Sequence, residues 1–387
     1  MSGADTGSGA ANPHSYFMDK ANMALAIALG RRGLGQCWPN PAVGAVIVEP
    51  GGRIVSCGWT GPGGRPHAEA NALAEAGAAA RGATLYATLE PCAHWGKTPP
   101  CADAIVESRI ARVVYGVGDP DPRVAGKGLR RLHKAGIEVV SGPLPKEARW
   151  LTLGHELRLT AQRPFIQLKL AVDRAGMIPA GGGGIPVWAT AKEARAAGHM
   201  LRAQADAILV GYGTMLADDP DLTCRLPNMQ WRSPIRVVLS TDGRLSRHAR
   251  MLKNLSTAPV WMVCAAGSPQ AGLDRLEELG VTVIQAPKNA AGRLELPAVM
   301  RALAERGITR LLVEGGPSLE ANLLKEDLAD EVIIFQGDKE VREAAIMPFA
   351  PDGLESVTDS PIYQLCETRR IGPNRVWSYR RNTYWRD

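Results

Sequence analysis

Charge of one sign, long apolar runs and aromatic residues are all scarce in this chain. Lys and Arg exceed Asp and Glu by only six over 387 residues, an excess that fits a phosphorylated small substrate as well as it fits RNA. No apolar stretch approaches the ~18 residues of a membrane-spanning helix, so a span is excluded. Phe, Trp and Tyr make up only 5%, and no run of Lys and Arg in the first half exceeds two residues. A basic surface interleaved with aromatic rings for nucleic acid is therefore not expected. Met1 to His14 is rich in Gly, Ser, Ala and Asn, with no basic stretch leading into an apolar one, so it reads as a disordered tail rather than a secretory signal. Seven cysteines, an odd number in a long chain, do not suggest a disulfide framework and point to a reducing, cytoplasmic setting. Internal repeats are absent too. What remains, 45% apolar and 22% charged residues, is the composition of an ordinary globular protein of about two domains.

The apolar pattern divides the chain in two. In the first half, Phe17, Ala21, Ala24, Leu25 and Ala28 recur at helical spacing and predict a helix over 16–30. Val43–Val48 and Ile54–Trp59 flank Pro50-Gly51-Gly52 and predict a hairpin. Helices are expected at 67–81, 100–108 and 129–135, and strands at 83–89, 112–117 and 137–140. Strands joined by helices imply a largely parallel sheet covered on both faces. The polar, helix-prone 146–163 reads as a connection. After Pro164 the alternation resumes, with strands expected at 165–172, 206–211, 235–240, 259–265, 281–286, 308–313 and 330–335. Helices are expected at 190–203, 271–279, 297–306 and 317–325, and Gly181–Gly184 as a flexible loop. The second half is thus a larger α/β domain.

Chemistry is concentrated at three element ends of the first half. His67-Ala68-Glu69 opens a helix, Pro91-Cys92 follows a strand, and Pro99-Pro100-Cys101 opens the next helix. Helix N-termini stabilise the thiolates that a metal needs. One imidazole and two thiolates suit Zn²⁺ and leave a fourth tetrahedral position open, the mark of a catalytic zinc. Glu69, two residues beyond His67, can then move protons without ligating, as in the H-x-E…P-C pattern of nucleobase deaminases. A closed structural site is the competing reading, and Cys57 or His94 would have to complete it. In the second half no G-x-G-x-x-G follows a strand, so an ordinary dinucleotide fold is not indicated. Leu311-Leu312-Val313-Glu314-Gly315-Gly316-Pro317-Ser318 instead ends a buried strand in two glycines before a helix. That turn can bring backbone N–H groups close to a phosphate, and it can equally be a plain strand-to-helix turn.

Eight residues separate Cys92 from Cys101, whereas many base deaminases have two. The block Leu89-Glu-Pro-Cys-Ala-His-Trp-Gly-Lys-Thr-Pro-Pro-Cys101 stands with Pro39-Asn40-Pro41-Ala42-Val43-Gly44, Pro66-His67-Ala68-Glu69 and Asp119-Pro120-Asp121-Pro122. In the second half, Leu201–Thr214 and Leu216–Arg225 add two more long matches. Together these resemble the bifunctional deaminase–reductase family of riboflavin biosynthesis over about residues 15–340.

The resemblance implies a cytidine-deaminase-like three-layer domain over 15–145, a linker at 146–163, and a dihydrofolate-reductase-like α/β domain over 164–387. It implies one Zn²⁺ per chain on His67, Cys92 and Cys101, with Glu69 as the catalytic acid/base and Asn40 at the substrate. It further implies NADPH contacts from Ala171, Trp188, Thr214, Asp218, Thr241, Gly316, Pro317 and Ser318. Arg202, Leu222, Arg225 and Glu314 would meet the substrate, the two arginines suiting its ribose phosphate. Asp173-Arg174-Ala175-Gly176 stands where the family usually has Ser-x-Asp-Gly, and Gly184-Ile185-Pro186-Val187 replaces a polar Gly-Glu-Ser. The expected activity is deamination of a diaminopyrimidinone ribosyl phosphate, then reduction of its ribosyl to a ribityl chain. The family suggests a homodimer through the reductase half, with no nucleic-acid or membrane partner. Two rivals share the zinc motif: a tRNA base deaminase, and a zinc-stabilised scaffold with a degenerate reductase half.

Overall fold

The computed structural model describes residues 13–96, 99–122, 124–179, 187–341 and 345–384. The predicted tail up to residue 12, the Gly181–Gly184 loop and residues 184–186 lie outside them. The chain forms two compact units. One holds the residues up to Gly33 and Asn40–Leu153, and the other holds Leu34–Pro39 and everything from Gly154 onward. Among the described residues, no helix is long and apolar enough to cross a membrane.

In the first unit the order is α1 (Pro13–Gly30), β1 (Gly44–Val48), β2 (Ile54–Trp59), α2 (Ala68–Ala76), β3 (Thr84–Leu89), α3 (Cys101–Glu107), β4 (Arg112–Val117), α4 (Lys127–Lys134), β5 (Glu138–Ser141) and the start of α5 (Pro145–Thr160). The strands lie in the order β2-β1-β3-β4-β5. The sheet is mixed rather than largely parallel: β1 runs antiparallel to both β2 and β3, while β3, β4 and β5 run parallel. The hairpin turns the chain back before the first helix crossover, and only strands joined by a crossover run parallel. Every residue of β1 is buried. Ala45 and Ile47 enter one core with Leu73, Leu85 and Ile105, and Val46 and Val48 enter another with Met23 and Ile27. Helices therefore cover both faces. The helix expected at 67–81 stops at Ala76 and passes into a 3₁₀ turn over Gly77–Ala80.

The segment expected as a linker is helix α5, and the boundary between the units falls inside it, after Leu153. The second unit continues with β6 (Phe165–Val172), β7 (Ile178–Pro179), α6 (Lys192–Ala203), β8 (Ala207–Gly211), α7 (Tyr212–Asp218), β9 (Ile235–Leu239), β10 (Val260–Ala265), α8 (Gln270–Glu278) and β11 (Thr282–Ala286). It ends with α9 (Leu296–Glu305), β12 (Arg310–Val313), α10 (Pro317–Lys325), β13 (Glu331–Gln336), β14 (Ala345–Ile346), α11 (Glu355–Thr358), β15 (Tyr363–Ile371) and β16 (Asn374–Arg381). Nine strands form one sheet in the order β11-β10-β9-β8-β12-β6-β13-β16-β15. Seven run parallel from β11 to β13, and the β15–β16 hairpin closes the edge antiparallel. Ile166, Leu168 and Leu170 of β6 pack on one face with Leu209, Leu311 and Leu303. Ile208, Val210 and Val238 fill the other with Leu312 and Met262. Arg163 grips buried Asp330 through two hydrogen bonds of 2.6 and 2.8 Å, which ties the start of β6 to that of β13.

Four strands and two short helices escaped the sequence pattern: β7, β14, β15, β16, α7 and α11. In β15 every residue from Gln364 to Arg370 is exposed, so it shows no inward apolar alternation to read.

Candidate functional site: a metal triad and a strand-end cavity

Packing of α2 on the sheet places the first site. A Cβ on Gly58 of β2 would come within 2.2 Å of the Ala68 carbonyl oxygen and 2.7 Å of the Ala72 nitrogen, so only glycine lets the helix lie directly on the strand. His67 then sits at the N-cap of α2, with Glu69 buried in its first turn. Cys92 follows β3, and Cys101 is the first residue of α3. The ligand atoms of His67, Cys92 and Cys101 all lie within 4.8 Å of one another. The His67 Nδ1 is 3.2 Å from the Cys101 Sγ and 3.6 Å from the Cys92 Sγ. Metal bonds of ~2.0–2.3 Å make tetrahedral edges of about 3.3–3.8 Å, so this donor set fits zinc. The Cys101 backbone N–H donates to the Cys92 Sγ at 3.3 Å. The hydrogen bond from the Cys101 thiol, helped by His67 and that N–H, pulls the Cys92 thiol down to about 4. Burial pushes the Glu69 carboxyl up to about 7, against the opposing pull of His67. A proton carrier for work near neutral pH needs such a value. Neither Cys57 nor His94 joins the triad.

The surroundings involve Glu90 and Asp119, which the quoted motifs contain but to which the sequence reading gave no role. Buried Glu90 accepts backbone N–H groups from Gly126 at 3.0 Å and Gly128 at 3.2 Å. It thereby holds the Asp119–Gly128 loop against the segment that carries Cys92. Burial pushes Asp119 in this loop up to about 6, with Asp121, Glu90 and Cys92 adding to it. Asn40 donates through its Nδ2 to the Gly64 carbonyl at 3.1 Å, beside the loop that leads into His67.

In the second unit a cavity of about 670 Å³ opens at the carboxyl ends of β8, β9 and β12. Ligands of parallel α/β sheets bind at this end of the strands. Of the residues expected at the cofactor, Thr214, Asp218, Thr241, Gly316, Pro317 and Ser318 line it, and so does Glu314. Ala171, Trp188, Arg202, Leu222 and Arg225 do not. Trp188 is exposed and lies against the Arg195 guanidinium, 4.8 Å from the ring centre. Leu222 is buried in the core with its backbone at a φ of 60°.

Arg202 is already committed. Its Nε and Nη2 donate to the two Glu314 carboxylate oxygens, both at 2.8 Å, and its Nη1 to the Thr223 carbonyl at 3.1 Å. The Lys169 Nζ, which no sequence motif had singled out, lies 3.7 Å from the same carboxylate. Burial works against ionisation of Glu314, but Arg202 and Lys169 outweigh it and hold the group at about 2. Arg225 is exposed, and its backbone N–H donates to the His199 Nδ1 at 3.3 Å. Burial, with Arg202 and Arg225 nearby, lowers His199 to about 4 and keeps it neutral. Asp173, where the sequence departs from the expected motif, is buried. It accepts the N–H groups of Met177 at 2.9 Å and Val341 at 3.0 Å and so fixes the turn after β6.

Residues 17–117 match the family model of the cytidine and deoxycytidylate deaminase zinc-binding region, and residues 164–371 match that of the RibD C-terminal domain. The riboflavin biosynthesis protein RibD of Aquifex aeolicus is 38% identical over 94% of this chain and 99% of its own length. That of Escherichia coli is 38% identical over 92% and 98%. The solved Acinetobacter baumannii RibD superposes with a TM-score of 0.80 at 33% identity, covering 95% of this chain and 99% of that one. A Thermotoga maritima structure titled diaminohydroxyphosphoribosylaminopyrimidine deaminase/5-amino-6-(5-phosphoribosylamino)uracil reductase gives a TM-score of 0.80 at 34% identity, covering 95% and 100%.

Proposed function

The chain belongs to the RibD family of riboflavin-biosynthesis proteins, and from that membership we propose how its residues divide the work. It is a bifunctional enzyme with a zinc-dependent pyrimidine deaminase half and an NADPH-dependent reductase half, acting on a phosphorylated pyrimidine. The observation that carries the deaminase assignment is the triad of His67, Cys92 and Cys101 with buried Glu69 beside it and outside the ligand cluster. These three residues would hold the zinc, which supplies Lewis acidity that lets a water ionise near neutral pH. Glu69 accepts a proton from the attacking water and returns it to the amino group that leaves as ammonia, so the amino-bearing ring carbon ends as a carbonyl. Asn40 and the loop between Cys92 and Cys101 orient the base.

In the second unit NADPH supplies the hydride that reduces the sugar carbon. The Gly315-Gly316 turn and the Ser318 N–H at the start of α10 would receive its phosphates, because the helix end carries positive partial charge. Thr214, Asp218 and Thr241 line the same cavity; Ala171 and Trp188, which do not line it, would meet the cofactor only as the family resemblance implies. Glu314 faces the substrate as a carboxylate. Arg202 acts through Glu314 by fixing its orientation and charge, and Arg225, whose guanidinium is exposed, takes the ribose phosphate, with the Leu222 backbone beside it. A coupled assay tests the whole reading. Zinc-loaded protein should release one ammonia per substrate and then oxidise one NADPH. Ammonia release without NADPH oxidation would confine the activity to the first unit and favour a degenerate reductase half.

We further infer a cytoplasmic homodimer joined through the reductase domain, without a nucleic-acid or membrane partner. Supporting the dimer, β15 is an exposed edge strand with Leu365 and nearby Ile362 uncovered, and such edges are normally covered or blunted. Light scattering should give twice the chain mass, and a gel shift with tRNA should show no complex.

A further inference from the structure

We propose that Arg293 is the residue by which the reductase half selects NADPH over NADH. The inference rests on reading the strand-end cavity as the cofactor site. The two dinucleotides differ only in the phosphate on the adenosine ribose, so the choice between them must be made where that phosphate sits. A dianion needs a cation there or a dense set of donors. Among the described residues that line the cavity, three are carboxylates, Asp218, Glu314 and Glu326, and the single guanidinium or ammonium is that of Arg293.

Position along the sheet agrees. Glu314, at the reacting end, follows β12, whereas Arg293 lies in the loop after β11, the fourth strand away in the order β11-β10-β9-β8-β12. An extended dinucleotide with its nicotinamide near Glu314 and its diphosphate on the α10 N-terminus would direct the adenosine toward β11. The lining also includes Leu239, Leu294, Leu296 and Leu319, apolar side chains available to an adenine ring.

The loop holds Arg293 ready. The Asn289 Oδ1 accepts the backbone N–H of Ala291 at 3.0 Å and that of Arg293 at 3.1 Å. The Asn289 N–H donates to the Arg293 carbonyl at 2.7 Å, and Lys288 pairs with Leu294 across the base of the loop. Gly292, at a φ of 73°, makes the turn. The Arg293 side chain is exposed, and the ion pairs of the described residues give it no carboxylate partner. Because the loop backbone is already fixed, binding an anion there orders only the Arg293 side chain.

Titration calorimetry with NADP⁺ and NAD⁺ on the full-length protein tests this. Wild type should prefer NADP⁺, and Arg293→Gln should weaken NADP⁺ binding roughly 10- to 100-fold, the loss expected for a charge-assisted contact. NAD⁺ affinity should move less than threefold, and Arg293→Lys should recover part of the preference. Arg293→Gln with an unchanged NADP⁺/NAD⁺ ratio overturns the proposal. Equal weakening of both dinucleotides also overturns it, because the residue would then act on shared parts of the cofactor. A wild-type chain that binds neither dinucleotide overturns the cavity assignment itself, and the inference with it.

Discussion

Glu69 and Glu314 are both buried acids, and their neighbours drive them in opposite directions. Burial prevails at Glu69 and brings it up to about 7; paired cations prevail at Glu314 and bring it down to about 2. Glu69→Gln should keep its zinc, because the carboxylate is outside the triad, yet lose deamination by ~10²-fold or more. Metal analysis beside ammonia release checks this. The depressed Glu314 stabilises the fold fully above the ordinary carboxylate value near 4.5, and this contribution is lost as pH falls toward 2. Glu314→Gln should therefore be about 3 kcal/mol less stable than wild type at pH 7. The gap should narrow below pH 4, as denaturant melts at several pH values would reveal. The two arginines should separate in the same way. Arg202→Ala leaves the Glu314 charge buried beside Lys169 alone and should cost ~3–5 kcal/mol of stability. Arg225→Ala should leave melting unchanged and raise the substrate KM roughly tenfold or more through loss of a phosphate contact.

At the scale of elements, the first site depends on how closely α2 approaches β2. Gly58→Val would drive its side chain into the Ala68 carbonyl and the Ala72 amide. Overpacking of this kind costs ~1–3 kcal/mol. It would also push away the turn that carries His67 and Glu69. Zinc content and deamination should fall together while NADPH oxidation with deaminated substrate persists, since the reductase residues lie on other elements. Loss of both activities would point to global unfolding instead, which circular dichroism distinguishes.

For the whole molecule, the decisive element is α5. Ala148 and Leu151 are buried on the first-unit side of the boundary, while Gly154 lies against Thr309 of the second unit. A fragment ending at residue 160 should fold, bind zinc and deaminate, whereas one ending at 145 should lose solubility because Ala148 and Leu151 are removed from its core. Equal behaviour of the two fragments would show that this helix is only a tether. The matching fragment 154–387 would lack Trp38, which packs on the second core, and should melt below the full-length reductase half.

Sequence alone singled out the three side chains whose ligand atoms the fold brings within 4.8 Å of one another, and the buried Glu69. Zinc chemistry demands rare residue types, and these stand at element ends where local pattern places them. It also located the seven strands that run parallel in the larger sheet, most of which are buried on both faces and read as continuous apolar runs. Tertiary structure decided what depends on distant partners. The direction of β1 in the first sheet follows from pairing with two neighbours, which no local pattern encodes. The β15–β16 hairpin holds its place by backbone pairing along an exposed strand that carries no apolar signal. Arg202 read as a phosphate ligand until Glu314, 112 residues away, proved to occupy it, and Lys169 passed as one polar position in a strand until the fold set it beside the same carboxylate. Whether a charge is free or already paired depends on what the fold places across from it, and that partner is rarely near in sequence.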